Sequence, residues 1–331
     1  MGQENWEKNK IWNSLRIGIG FLLITALIVG CVQENDRQEG LGQTDKEKLK
    51  IGVLPIEDTM PLLVAEKNGY FIEENLQVEL VNFQSPVEQS NAMQSGEMNG
   101  MVTDMIVAAL LKDSGLDLKM TSITLGVTPK EGRFAIIASP NSKVKTLHDL
   151  KGKGIGISHN SIIEYVTDGL LKEGGINPTE VKKVSVPKIP VRMEMLFSNQ
   201  IDAITVPDPL VTLAEFKGGK IIAEDTSKNL SQAVMLFDQR TLDNNKNAVE
   251  ALYRAYIKAV DDLNNHPEDY KDLLIKTANI PEPIAEDYQM QHYPKPQAPS
   301  EEDVNNILDW MGKKGLLKNP LKYQDLVQEI I

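Results

Sequence analysis

Apolar and polar positions fall into blocks along this chain, and the blocks recur. Leu49-Lys50-Ile51-Gly52-Val53-Leu54 is a short apolar run with β-branched residues that stops at Pro55, the pattern of a strand. Ile155-Gly156-Ile157-Ser158 repeats it roughly 100 residues later, and each run feeds a loop and then a helix. The first helix runs to Asn68-Gly69-Tyr70-Phe71 and its counterpart to Gly174-Gly175-Ile176, both with glycine where a left-handed cap is wanted. Second strands are predicted at Val78–Val81 and Val181–Val186, and second helices at Pro86–Gln94 and Pro190–Phe197. Ser95-Gly96-Glu97-Met98-Asn99-Gly100-Met101-Val102 then aligns with Ser198-Asn199-Gln200-Ile201-Asp202-Ala203-Ile204-Thr205, a helix end, a turn and a third strand in each half.

Strand-helix-strand-helix-strand with short connections is the signature of a parallel sheet covered on both faces. The pattern predicts an α/β protein of two lobes, each a mostly parallel sheet flanked by helices. Gly132–Ala138 and Gln232–Phe237 read as further strands that carry the chain into the second lobe and back, a two-strand hinge of the kind that absorbs closure. Val249–Leu263 and Val304–Met311 place apolar residues at helical spacing, which predicts a helical return onto the first lobe. The expected boundaries are 49–135 plus 233–331 for lobe 1 and 136–232 for lobe 2.

Upstream the pattern changes. Cys31, the lone cysteine, follows a 13-residue apolar run, Ile17 to Val29, preceded by Lys8, Lys10 and Arg16. That run is short for a membrane span of about 20 residues. It predicts a signal peptide over 1–30 and lipid attachment at Cys31, with an uncleaved anchor helix as the alternative. Val32 to Lys48 has almost nothing apolar to bury, so 31–48 is expected to be a disordered, lipidated tether. A single cysteine allows no internal disulfide, so an apolar core must hold the exported part together. Residues 1–30 carry three basic and two acidic side chains, or +1, which leaves −13 of the total −12 on the chain from Cys31. Such acidity argues against nucleic acid as a partner. The expected location is the extracytoplasmic face of the cell membrane, held by the lipid, with the protein monomeric.

The lobe order, the phrase Pro61-Leu62-Leu63-Val64-Ala65-Glu66-Lys67-Asn68-Gly69-Tyr70-Phe71 and the turn Ser95-Gly96-Glu97-Met98-Asn99-Gly100-Met101 resemble the solute-binding lipoproteins of ABC importers. More narrowly, they resemble the branch of nitrate, alkanesulfonate, taurine and thiamine-precursor receptors. The resemblance covers about residues 49 to 331. It implies a type II periplasmic-binding fold that closes on a small solute and docks on an ABC transporter permease.

In open sheets ligands bind outside the carboxyl ends of the strands. Those ends select Asp58, Thr59 and Met60 after the first strand, Gln84 and Ser85 after the second, and Thr103 and Asp104 after the third. In lobe 2 they select Ser158, His159, Asn160 and Ser161, then Pro207 and Asp208. Ser85-Pro86-Val87-Glu88 and Ser161-Ile162-Ile163-Glu164 are capping-box patterns, and free N–H groups at such helix starts suit an anion. The two serines alone also read as plain N-caps. Asp104 and Asp208 also read as turn or cap residues.

Glu57, Asp58, Asp104 and Asp208 make these loops acidic, and no Lys or Arg follows the first or third strand of either half. Several carboxylates disfavour an inorganic anion. A thiamine precursor, pyrimidine, amine or zwitterion fits better, with Lys188 and Arg192 near enough in sequence to receive an acidic group. A sulfonate or nitrate receptor is one alternative. A lipoprotein that acts only through protein contacts, as sensor or adhesin, is the other. Catalysis is not expected: His148, His159, His266 and His292 are scattered, a lipidated Cys31 is no nucleophile, and no phosphate loop follows a strand. No cofactor or metal is implied.

Overall fold

The computed structural model describes residues 47–128, 131–225, 230–278, 284 and 288–330. The expected signal peptide, the expected lipidation at Cys31 and the expected tether as far as residue 46 lie outside the described residues. The first strand, β1 (Glu47–Val53), begins two residues earlier than predicted. It is followed by α1 (Met60–Lys67), the single turn α2 (Tyr70–Glu73), β2 (Leu76–Asn82), α3 (Pro86–Gln94), β3 (Gly100–Asp104), α4 (Met105–Asp113) and β4 (Leu118–Leu125). The second half runs β5 (Phe134–Ala138), β6 (Gly154–Ile157), α5 (Ile162–Glu173), β7 (Lys182–Ser185), α6 (Ile189–Phe197), β8 (Ala203–Pro207), α7 (Leu210–Phe216) and β9 (Lys220–Asp225). The chain then returns through β10 (Ala233–Asp238), α8 (Gln239–Asn244), α9 (Lys246–Asn265), α10 (Lys271–Thr277), α11 (Glu301–Lys313) and α12 (Tyr323–Leu326). All of these elements fall in one compact unit, Asp45–Ile331.

Two five-stranded sheets result, ordered β2-β1-β3-β10-β4 and β7-β6-β8-β5-β9. In each, four strands run one way and one runs against them: β10 is antiparallel to β3 and β4, and β5 is antiparallel to β8 and β9. Every residue of β3, β5, β8 and β10 is buried, as strands covered on both faces must be. The repeat extends to the backbone. Gly96 and Asn199 occupy the same turn position in the two halves, with φ of 76° and 57°, and Gly69 and Gly175 both take the left-handed conformation after their helices.

The predicted hinge strands do not pair with each other. Each belongs wholly to one sheet, and the crossings lie in the segments before them. Gly126 and Gly132, both at positive φ, flank the outward crossing. A boundary at 135/136 therefore cuts through β5, which lies entirely in the second sheet. The return leg covers the first sheet through α9, whose apolar face joins α1 and β1 in one core, and through α11 against α4. Ile275, Ala278 and Ile284 instead complete the core beneath the second sheet.

β3 is crossed closely by its antiparallel neighbour. A Cβ on Gly100 would meet the Leu236 carbonyl at 2.4 Å and the Phe237 ring at 2.7 Å, whereas one on Gly312 in α11 would meet nothing. Gly100→Ala should therefore cost about 1–3 kcal/mol or more of stability by overpacking. Gly312→Ala should be neutral or stabilising, by up to about 1 kcal/mol. Urea unfolding of both variants checks this, and equal midpoints would contradict it.

Candidate functional site

The parallel strands of each sheet end on one edge, and residues from those edges of both sheets line one interlobe space. The strand-end rule must be reversed for an antiparallel strand: the start of β5 and the start of β10 lie at that edge, as the pairings Phe134 with Pro207 and Ala233 with Asp104 show. Phe134, Ser231, Gln232 and Ala233 accordingly join the wall of a central cavity of about 40 Å³. Of the residues expected at the site, Asp58, Thr103, Asp104 and Pro207 line it. Asp208 lies in a smaller adjoining space with Glu57, Asp58 and Arg133.

The others are elsewhere. Met60 is fully buried in the core of the first lobe. The Thr59 hydroxyl donates to the carbonyls of Leu54 and Ile56, closing its own turn. Ser158, His159, Asn160 and Ser161 line a separate groove of about 220 Å³ against α3 and α4. There the Asn160 N–H donates to Glu164 Oε2 at 2.9 Å, and His159 Nδ1 lies 3.4 Å from Glu164 Oε1. Among the described residues the buried Ser158 hydroxyl has no partner.

The helix starts were expected to be open to an anion, and the structure corrects this. Ser85 caps α3, accepting from the Glu88 N–H at 3.2 Å, but Glu88 accepts from Gln84 rather than completing the box. Ser161 does not cap α5; its hydroxyl donates to the Ser158 carbonyl. That role passes to the other lobe. Asp104 Oδ1 accepts from the Ile106 and Val107 N–H groups, capping α4, while its Oδ2 accepts from the Ile162 N–H of α5 at 3.0 Å. The α6 start is held likewise, the Ile189 N–H donating to the Gln84 carbonyl at 3.1 Å.

The expectation of acidic loops with basic groups only at Lys188 and Arg192 lacks one cation. Arg133, immediately before β5, lies beside the end of β8 because those strands are antiparallel. Its Nη1 is 3.6 Å from Asp208 and 3.1 Å from Glu215, and its Nε is 2.9 Å from Glu224. Asp208 Oδ1 accepts from the Thr212 N–H and hydroxyl, so this carboxylate is a turn residue with a counter-ion. Arg192 reaches the central cavity from the first turn of α6 and is 1 % exposed. Its Nε and Nη1 have no hydrogen-bond partner among the described residues, and burial pushes the guanidinium down to about 10. Across the cavity, burial and then the Asp104 charge push Asp58 up to about 7, and its Oδ1 also lacks a partner. Burial pushes Asp104 up to about 6 against the pull of its three N–H donors. Burial and then Asp208 push Glu57 up to about 8.

The lobes are latched beyond the cavity. Lys188 pairs with Glu88 at 2.8 Å across the mouth. Behind α5, Lys314, just after α11, reaches Glu164 at 2.5 Å and Asp168 at 3.5 Å, and the Trp310 indole N–H donates to Asp168 at 3.2 Å. Lys183 pairs with both carboxylates from the β7 side. Burial alone would raise Glu164, but the Asn160 N–H and the two lysines hold it well below the usual range. Among the described residues no group of three or more His, Cys, Asp or Glu side chains could hold a metal.

A family model described as NMT1/THI5 like matches residues 57–270. An Escherichia coli protein described as aliphatic sulfonates-binding is 23% identical over 216 residues, 65% of this chain and 66% of that one, just under two thirds of its length. A Haemophilus influenzae protein described as a thiamine biosynthesis protein is 21% identical over 82% of this chain and 88% of its own. The structure of the alkanesulfonate-binding protein SsuA from Xanthomonas axonopodis pv. citri, bound to MOPS, superposes with a TM-score of 0.75 at 18% identity, over 85% of this chain and 98% of that one. The fold is that of the periplasmic binding proteins.

The raised carboxylates give a pH dependence with a definite sign. Glu57, Asp58 and Asp104 hold their protons more tightly folded than unfolded, so the stability they contribute is present below about pH 4 and is lost as pH rises through about 6, 7 and 8. The melting temperature without added solute should fall between about pH 5 and about pH 8, and Asp58→Asn should flatten that fall. A melting temperature that rises across this window would contradict the assignment.

Proposed function

This chain belongs to the NMT1/THI5-like family, and from that premise we propose that it is the solute-binding component of an ABC importer. It captures a small nitrogen-containing solute between its lobes and delivers it to the permease. One observation carries the reading. A buried guanidinium, Arg192, and a buried carboxylate, Asp58, each with unpartnered polar atoms, face one cavity from opposite lobes. A buried charge without a partner is costly, and a solute with complementary groups would remove that cost. A zwitterion, with an acidic group for Arg192 and an amine or N–H group for Asp58, satisfies both.

Closure then follows from contacts that exist only when the lobes meet. Ile162 to Asp104, Ile189 to Gln84 and the Lys314 cluster all cross the interface, with Gly126 and Gly132 in the segment that must bend. Binding rather than catalysis fits the site, since His159 stands outside the central cavity and is 41 % exposed. We place the protein on the extracytoplasmic face of the membrane, monomeric and anchored by lipid on Cys31.

A thermal-shift panel tests the reading: thiamine precursors, pyrimidines, amino acids, polyamines, sulfonates and nitrate. A ligand of the folded form at 100 times its Kd adds about 2.7 kcal/mol. A zwitterion or nitrogen heterocycle should raise the melting temperature, and Asp58→Asn and Arg192→Gln should each reduce the shift. A shift confined to nitrate or simple sulfonates would overturn the ligand class, and silence across the panel would overturn the binding reading.

A further inference from the structure

Asp104 joins the two lobes inside the central cavity. Its carboxylate is 5 % exposed and accepts three backbone N–H groups, two from its own helix α4 and one, Ile162, from the opposing helix α5. The start of a 12-residue helix is a favourable place for an anion, because its first N–H groups and the axial dipole converge there. In this chain the place is already taken by a carboxylate of the protein. The α6 start is engaged as well, by the Gln84 carbonyl. Within the same cavity the guanidinium of Arg192 lacks partners at two nitrogens.

We propose that Asp104 is an internal counter-anion that closes the α5 start to acidic solutes and so directs a solute's acidic group to Arg192. This rests on the solute-binding reading and goes beyond it by naming the residue that sets charge preference. Two consequences follow from the chemistry. A fixed carboxylate repels a simple anion entering the cavity, since a like charge at low dielectric is felt over several ångströms. A solute carrying a cationic group beside its acid offsets that repulsion, with Asp58 and Asp104 on the cation and Arg192 on the acid. Asp104 is thus a specificity-determining residue whose cost falls on anions alone.

The test uses methanesulfonate as a probe of bare anion binding, by titration calorimetry at neutral pH. Asp104→Asn keeps the side-chain shape and removes the charge; its single oxygen can accept from the α4 N–H groups or from the Ile162 N–H but not from both, so the amide still covers the α5 start. It should bind methanesulfonate roughly tenfold or more tightly than the parent protein. Adding Arg192→Gln to that variant should abolish the gain, and adding Arg192→Lys instead should keep part of it, which separates lost charge from lost folding. The proposal is overturned if Asp104→Asn binds the probe no better than the parent, or if the gain survives Arg192→Gln. Failure of the binding reading itself looks different, because then no compound of the thermal-shift panel binds any of these proteins.

Discussion

Two sheets of the same construction, set so that their carboxyl edges meet, oblige the chain to bring helix starts and strand ends together from both sides. Everything at the interlobe surface follows from that constraint. Helix starts carry unsatisfied N–H groups, and face to face across a narrow space they need acceptors. The chain supplies them from the opposite lobe: Asp104 for α5 and the Gln84 carbonyl for α6. The same contacts that satisfy the helices therefore hold the lobes together.

Charge in the cavity is arranged with equal economy. Asp208 has Arg133, and Glu57 accepts the Gln291 N–H at 3.1 Å, so both have partners of their own. Asp58 and Arg192 do not use theirs on each other, although a buried ion pair would have been the simple solution. On the proposed reading, these unpartnered atoms on the two sides of one cavity are the groups that a two-signed ligand would satisfy. The outer latch of Lys314, Trp310, Glu164 and Asp168 is separate, and it joins α11 to α5 without entering the cavity.

Much of this was legible in the sequence because the repeat constrains local structure twice over. The helix Pro86–Gln94 was read to the residue, and the alignment of Ser95-Gly96 with Ser198-Asn199 is matched by two left-handed turns. β4 and β9 were missed. Lys119, Thr121 and Ser122 interrupt the apolar pattern of β4, and Lys220, Glu224 and Asp225 do so in β9, yet both are paired along one edge. The site was legible in part for a directional reason. Reading the residues after each strand finds Asp58, Thr103, Asp104 and Pro207, but it looks at the wrong end of an antiparallel strand. Arg133, Ser231 and Gln232 precede their strands and Phe134 begins one, so none of them is selected by that rule. Ser161 and Glu164 have the capping-box spacing, and only the opposing lobe reveals that Asp104 takes the cap.

The central claim is that the cavity between Asp58 and Arg192 is where a solute is held. A crystal structure of the protein with a bound compound tests it most directly. The account predicts density between the lobes, with an acidic group on the Arg192 guanidinium and a nitrogen on Asp58. A compound bound in the outer groove beside His159 and Asn160, with the central cavity holding water alone, would contradict it.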